Sequence, residues 1–142
     1  MQSSKLLIEK YELLLEKRLD EKKKEDFIRK FVKFVGKELG IKDLPKIFLN
    51  KKDGFASERK SFGQYHPGEK KLVIAVTNRN LADTLRTLGH ELVHCKQHED
   101  GRISLDNAME SGKDGSDIEN EANSKAAVLM REFGRQYPEI FE

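Results

Sequence analysis

The stretch Asn80-Leu81-Ala82-Asp83-Thr84-Leu85-Arg86-Thr87-Leu88-Gly89-His90-Glu91-Leu92-Val93-His94-Cys95-Lys96-Gln97-His98 decides how this chain folds on paper. Leu81, Leu85, Leu88, Leu92 and Cys95 recur at helical spacing and form a stripe suited to burial. Asn80 is a good N-cap, Asp83 occupies the capping-box position, and Gly101 stands just past the end. The spacing predicts a helix over 80–99. His90 and His94 fall one turn apart on a second, polar stripe with Thr87 and His98. Two surface histidines flanking a core leucine would explain Leu92 but leave that polar stripe without a purpose.

Downstream, residues 100–116 are rich in Gly, Asp and Ser and read as a loop. A last helix is expected over 117–137, burying Ile118, Ala122, Ala126, Leu129 and Phe133, with Pro138 as its stop. Upstream, Lys71-Leu72-Val73-Ile74-Ala75-Val76 is the clearest strand, preceded by the turn His66-Pro67-Gly68-Glu69. Lys46-Ile47-Phe48-Leu49-Asn50 reads as a first strand, Asp53-Gly54 as a turn, and 56–65 as a less defined strand. These form a small sheet over 46–76, expected to be mostly antiparallel because its connections are short. Residues 1–40 read as two helices. One covers 4–19, with Leu7, Tyr11, Leu14 and Leu15 on one face. The other covers 22–39, with Phe27, Ile28, Phe31, Val32, Phe34, Val35 and Leu39, and ends at Gly40. The run Asp20 to Asp26 between them is a solvated bridge or a break. The whole is an α+β fold in a single domain, 1–142.

The bulk numbers agree with one small domain: 142 residues, 37% hydrophobic and 37% charged. Twenty-seven basic residues against 25 acidic ones leave a net charge of +2, which argues against a nucleic-acid or membrane field. The single cysteine, Cys95, excludes an internal disulfide and any cysteine metal cluster. Lys5, Glu9, Lys10 and Glu12 interrupt the apolar N-terminal residues, so no signal peptide is read and the cytoplasm is expected. No apolar run approaches membrane-spanning length.

His90-Glu91-Leu92-Val93-His94 matches H-E-x-x-H, on a segment already placed in a helix. Residues i and i+4 share a face, so both imidazoles can reach one ion, expected to be Zn2+. Glu91 is turned about 100° from His90. Its carboxylate is thus expected near a metal-activated water, as the general base that takes its proton.

Such a site needs a third protein ligand and an open position. The last helix offers Glu119-Asn120-Glu121-Ala122-Asn123. Glu121 is the expected ligand. It lies deeper in the helix than Glu119, beside Ala122, at the margin of the buried stripe. Glu119 is the alternative, about 60° from Ala122 on the other side, and Asp117 is weaker. Favourable charge at a helix N-terminus would explain Asp117 and Glu119 better than Glu121.

H-E-x-x-H followed by a helical Glu-Ala resembles the gluzincin branch of zinc peptidases. Within it, residues 70–133 look most like the small ImmA/IrrE-like peptidases, many of which carry a further histidine four residues on, here His98. The resemblance places the third ligand in the stretch Glu119 to Asn123, before the helix Ala126-Ala127-Val128-Leu129-Met130. Val93 and Arg131 depart from the family's usual glycine and proline. SprT-like peptidases, with the same minimal core, are the second resemblance. The implied activity is that of a zinc metalloendopeptidase, of a kind found in bacteria and their phages. Its protein or peptide substrate would lie along a sheet edge by strand addition. The alternative is a non-catalytic zinc-containing regulatory or interaction module, a role that has no need of Glu91. The oligomeric state is not legible.

Other residues near the motif read as follows. His98 is either an ordinary histidine near a helix C-terminus or a residue that orients a ligand or touches substrate. Tyr65 and His66 flank the turn, with the cleft as a second destination for both. Cys95 falls on the leucine stripe and reads as core.

Overall fold

A computed structural model describes residues 2–51, 62–77, 79–103 and 116–142. The Asp53-Gly54 turn, residues 56–61 of the expected second strand and most of the 100–116 loop lie outside them. Helix α1 spans Gln2–Leu39, so the two expected N-terminal helices are one. The run Asp20 to Asp26 contains neither glycine nor proline, and nothing in it interrupts the backbone ladder. Asp26 and Arg29 add an i,i+3 ion pair at 3.9 Å. Gly40, with φ 69°, ends the helix as expected.

The chain divides into two units, Met1–Lys30 and Phe31–Glu142. In the first, Leu7, Tyr11, Leu14 and Leu15 are all exposed, as are Leu6, Ile8 and Leu13. Lys22, Lys23 and Lys24 face solvent.

The second unit carries the sheet and the remaining helices. Its strands are β1 (Lys46–Asn50), β2 (Gly63–His66) and β3 (Lys71–Ala75), in the order β1-β3-β2. β2 and β3 are antiparallel, with Gly63 opposite Ile74 and His66 opposite Lys71. The turn Pro67 to Lys70 joins them, with Lys70 at φ 48°. β1 and β3 are parallel, with Lys46 opposite Lys71 and Asn50 opposite Ala75. The sheet is therefore mixed, not mostly antiparallel. Three strands running up, down and up give the first and third the same direction. Because β3 enters between the other two, that parallel pair become neighbours.

Helix α2 spans Leu81–Glu99 and helix α3 spans Asp117–Gln136; a 3-10 turn, Pro138–Phe141, follows Tyr137. Asn80 caps α2 by accepting from the Asp83 N–H at 2.9 Å. Ser116 caps α3 by accepting from the Glu119 N–H at 3.2 Å. The core joins Leu72 and Ile74 of β3, Leu85, Leu88, Leu92 and Cys95 of α2, and Ala122, Ala126, Leu129 and Phe133 of α3. Phe31 and Val35 close it, with the Phe31 ring edge-on to Phe133 at 5.1 Å. Both expected helical stripes are the buried ones, apart from their half-buried first residues, Leu81 and Ile118. The fold is α+β. Among the described residues no helix is long and apolar enough to cross a membrane.

Candidate metal centre

The helical repeat sets the two imidazoles of α2 side by side, with ring centroids 4.7 Å apart and Nε2 atoms 3.2 Å apart. The carboxylate that meets them is that of Glu119. Its Oε2 lies 3.1 Å from His90 Nε2 and its Oε1 2.8 Å from His94 Nε2. His90, His94 and Glu119 are the group of potential metal ligands that converge among the described residues.

The expected third ligand, Glu121, is elsewhere. Its Oε1 accepts from Arg102 Nη1 at 2.6 Å and from Gln97 Nε2 at 3.0 Å. Helix rotation is the reason. Glu119, Ala122, Asn123 and Ala126 follow the i, i+3, i+4, i+7 pattern of a single face, and Ala122 and Ala126 are buried. Asn123, one turn beyond Glu119, hydrogen-bonds His90 from the same face. Glu121 looks sideways, in line with Lys125, whose Nζ lies 3.8 Å from it. Nor is Glu119 in a frayed turn, since its own N–H is held by Ser116.

The donor set suits a divalent metal. Tetrahedral ligands about 2.1 Å from zinc lie about 3.4 Å from one another. The two Nε2 atoms, 3.2 Å apart, fall a few tenths of an ångström short of that, and Glu119 presents one oxygen to each ring, Oε2 at 3.1 Å from His90 and Oε1 at 2.8 Å from His94. Burial holds the His90 ring to a lower pKa than usual, helped by neighbouring His94 and opposed by Glu119 and Asn123. A neutral ring is the form that ligates.

Glu91 lines a cleft of about 510 Å³ together with Gly63, Gln64, Tyr65, His66 and Pro67 of the β2 edge, His94, Glu119, Ile103 and Ile118. Burial pushes its carboxyl pKa up to about 7. The charge of Glu119 adds to that rise, while His94 and a hydrogen bond from the Tyr65 backbone N–H oppose it. That hydrogen bond follows from the β2 register. The Phe62 carbonyl accepts from Ala75 N–H at 2.8 Å, so the backbone groups of Gly63 and Tyr65 point away from β3.

His98 does not join the ligand group. Its Nδ1 lies 3.1 Å from Tyr65 Oη, and Cys95, buried on the leucine stripe, also hydrogen-bonds Tyr65. Tyr65 lines the cleft, one of its two expected destinations, and its hydroxyl also meets α2.

Four residues near the site escaped the sequence reading: Gln97, Arg102, Asn123 and Gly63. Gln97 is the most telling, a polar side chain only 1% exposed, with Oε1 2.7 Å from His94 Nδ1. Its spacing of three from His94 was the available signal. No family model, curated protein or solved structure matches the chain.

Proposed function

We propose that this chain is a zinc metallopeptidase of the cytoplasm, with His90, His94 and Glu119 as the protein ligands and Glu91 as general base. The observation that carries the reading is the placement of Glu91 in a cleft, beside a His-His-carboxylate group and along a sheet edge. Its H-E-x-x-H pattern and its resemblance to the gluzincins point the same way. Bound zinc would supply Lewis-acid polarisation and acidify a water.

The chain's own residues supply the rest. The Tyr65 N–H orients the Glu91 carboxylate, and burial raises its proton affinity. A carboxylate so held can both take a proton from an attacking water and return it to a leaving amine. An extended peptide would lie in the cleft beside β2, where Ile103 and Ile118 give it apolar walls.

The seven exposed apolar residues between Leu6 and Leu15 favour a second reading, a zinc-containing interaction module. One experiment separates the two. Zinc content and proteome-wide cleavage are compared for wild type and Glu91→Gln. Peptidase function requires one zinc per chain in both and cleavage in wild type alone, with a loss of about 10²-fold or more in the variant. Equal cleavage by both proteins, or wild type without zinc, would refute it. Zinc in both with cleavage by neither would favour the interaction module.

A further inference from the structure

The structure assigns the Tyr65 hydroxyl a positioning role: it anchors β2 to α2 and so holds the Tyr65 N–H on the Glu91 carboxylate. The effect on cleavage rests on the peptidase reading above; the anchoring does not.

Thr87, Glu91, Cys95 and His98 lie within about 80° of one another around α2 and form one stripe along it. β2 runs beside that stripe. Side chains alternate along a strand, so residues 63 and 65 turn one face to the helix, and Gln64 and His66 turn the other away. Gly63 is the near end of the contact, where a Cβ would stand 2.6 Å from Thr87 Cγ2 and 3.3 Å from Glu91 Cγ. Tyr65 is the far end. Its Oη lies 3.1 Å from His98 Nδ1 and also hydrogen-bonds Cys95, so it reaches one and two turns beyond Glu91. Between the two ends, the Tyr65 backbone N–H meets the Glu91 carboxylate.

The two ends hold in different ways. Gly63 has no side chain, so it sets how closely β2 approaches α2 but gives the strand no grip along the helix axis. The Tyr65 hydroxyl is directional. It donates one hydrogen bond and accepts another, which suits two partners. Burial raises its pKa above that of an ordinary phenol, with neighbouring Cys95 and Glu99 adding to the rise, so it keeps its proton. β2 has only four residues and pairs with β3 on one side alone, while it lines the cleft. A strand so short and so placed gains its register along α2 from the tie at Tyr65. The consequence for Glu91 is steep, because displacing a reacting group by about 1 Å can cost about 100-fold in rate.

Amide exchange and ¹H–¹⁵N spectra of zinc-free protein read the anchoring directly. In wild type the Tyr65 amide is expected to be protected and to move on Glu91→Gln. Tyr65→Phe keeps the ring. It is expected to lower protection at residue 65 about 10-fold, the worth of one hydrogen bond, and to abolish the response to Glu91→Gln. His98→Leu removes a partner from the α2 side and is expected to act in the same direction, which keeps the test open if Tyr65→Phe fails to fold. With zinc present and labelled casein as substrate, Tyr65→Phe is expected to lower kcat about 10–100-fold and leave KM within about 2-fold. A residue-65 amide as protected and as responsive in both variants as in wild type would overturn the anchoring. So would protection lost evenly across β2, β3 and α2, the mark of a merely structural role. An unchanged kcat alongside a loosened amide would overturn the hydroxyl's part in positioning the base. Wild type that shows the expected amides but cleaves neither casein nor the proteome would refute the peptidase and leave the anchoring standing.

Discussion

Gly63→Ala is the substitution through which fold and site should fail together. A Cβ at Gly63 would stand 2.6 Å from Thr87 Cγ2, 2.9 Å from Ile74 Cδ1 and 3.3 Å from Glu91 Cγ. None of these can retreat cheaply. Thr87 is β-branched, and its Oγ1 accepts from Arg79 Nη2 at 2.7 Å, so rotating it away breaks that bond. Ile74 is completely buried in the central strand. Overpacking of this kind costs about 2 kcal/mol. At about 4 °C per kcal/mol for a chain of this size, the melting midpoint should fall by about 8 °C. Relief comes by moving β2 away from α2, which draws the Tyr65 N–H off the Glu91 carboxylate. Gly89→Ala is the matched control on α2. Its Cβ would meet Phe31 Cζ at 3.3 Å, a lesser overlap that a shift of a few tenths of an ångström relieves, and the Ala126 Cβ at 3.6 Å in ordinary contact. Replacing a mid-helix glycine also recovers up to about 1 kcal/mol of helix propensity. Thermal melts by circular dichroism, together with the Tyr65 amide resonance, measure both effects. If Gly63→Ala melted within about 2 °C of wild type with the Tyr65 amide unmoved, the close approach of β2 to α2 would be refuted.

Three further outcomes are expected. Glu119→Ala should abolish stoichiometric zinc binding, whereas Glu121→Ala should only weaken it by about 10–100-fold; the reverse order in a chelator competition would restore Glu121 as the ligand. Phe133→Ala should destabilise by about 3–5 kcal/mol in chemical denaturation, because the ring is 1% exposed and packs against Phe31, Phe34 and Tyr137; a loss below about 1 kcal/mol would contradict that core. Glu99 accepts from the Lys42 N–H at 2.9 Å and the Asp43 N–H at 3.3 Å, and the Lys42 bond above all holds its carboxyl below the usual range. Its contribution should therefore be complete above its unfolded pKa of about 4.3 and fade as pH falls through the lower folded value. Paired denaturation curves of wild type and Glu99→Ala should converge in acid, and a gap that widened there would reverse the sign.

Local periodicity accounts for most of what was legible. The buried stripes of α2 and α3, the caps at Asn80 and Gly40, the β1 boundaries and the shared face of His90 and His94 each depend on residues within about one helical turn or one strand. They needed no knowledge of the rest of the molecule. The two helices expected over 1–40 are one, and Asp20 to Asp26 is the solvated helical bridge rather than the break, because charge alone does not end a helix that lacks glycine or proline. The β1–β3 pairing was out of reach for another reason: antiparallel neighbours follow from a short turn, but the position of β3 between β1 and β2 is a choice of the whole sheet.

The third carboxylate shows where the division falls. The amino-acid sequence by itself determined that α3 would bring acidic residues toward two histidines one turn apart. Which acid arrives depends on the rotation of α3 about its own axis, and Glu119 and Glu121 differ by about 160° on that circle. That rotation is set by α2 and α3 packing through Ala122, Ala126 and Gly89, residues far apart in the chain and small enough to permit close approach. The same docking carries Glu121 to Gln97, which meets His94 three residues away on α2 itself. Tertiary structure alone decided where Glu119 and Glu121 arrive, because those contacts are made across two helices and no spacing within either one encodes them.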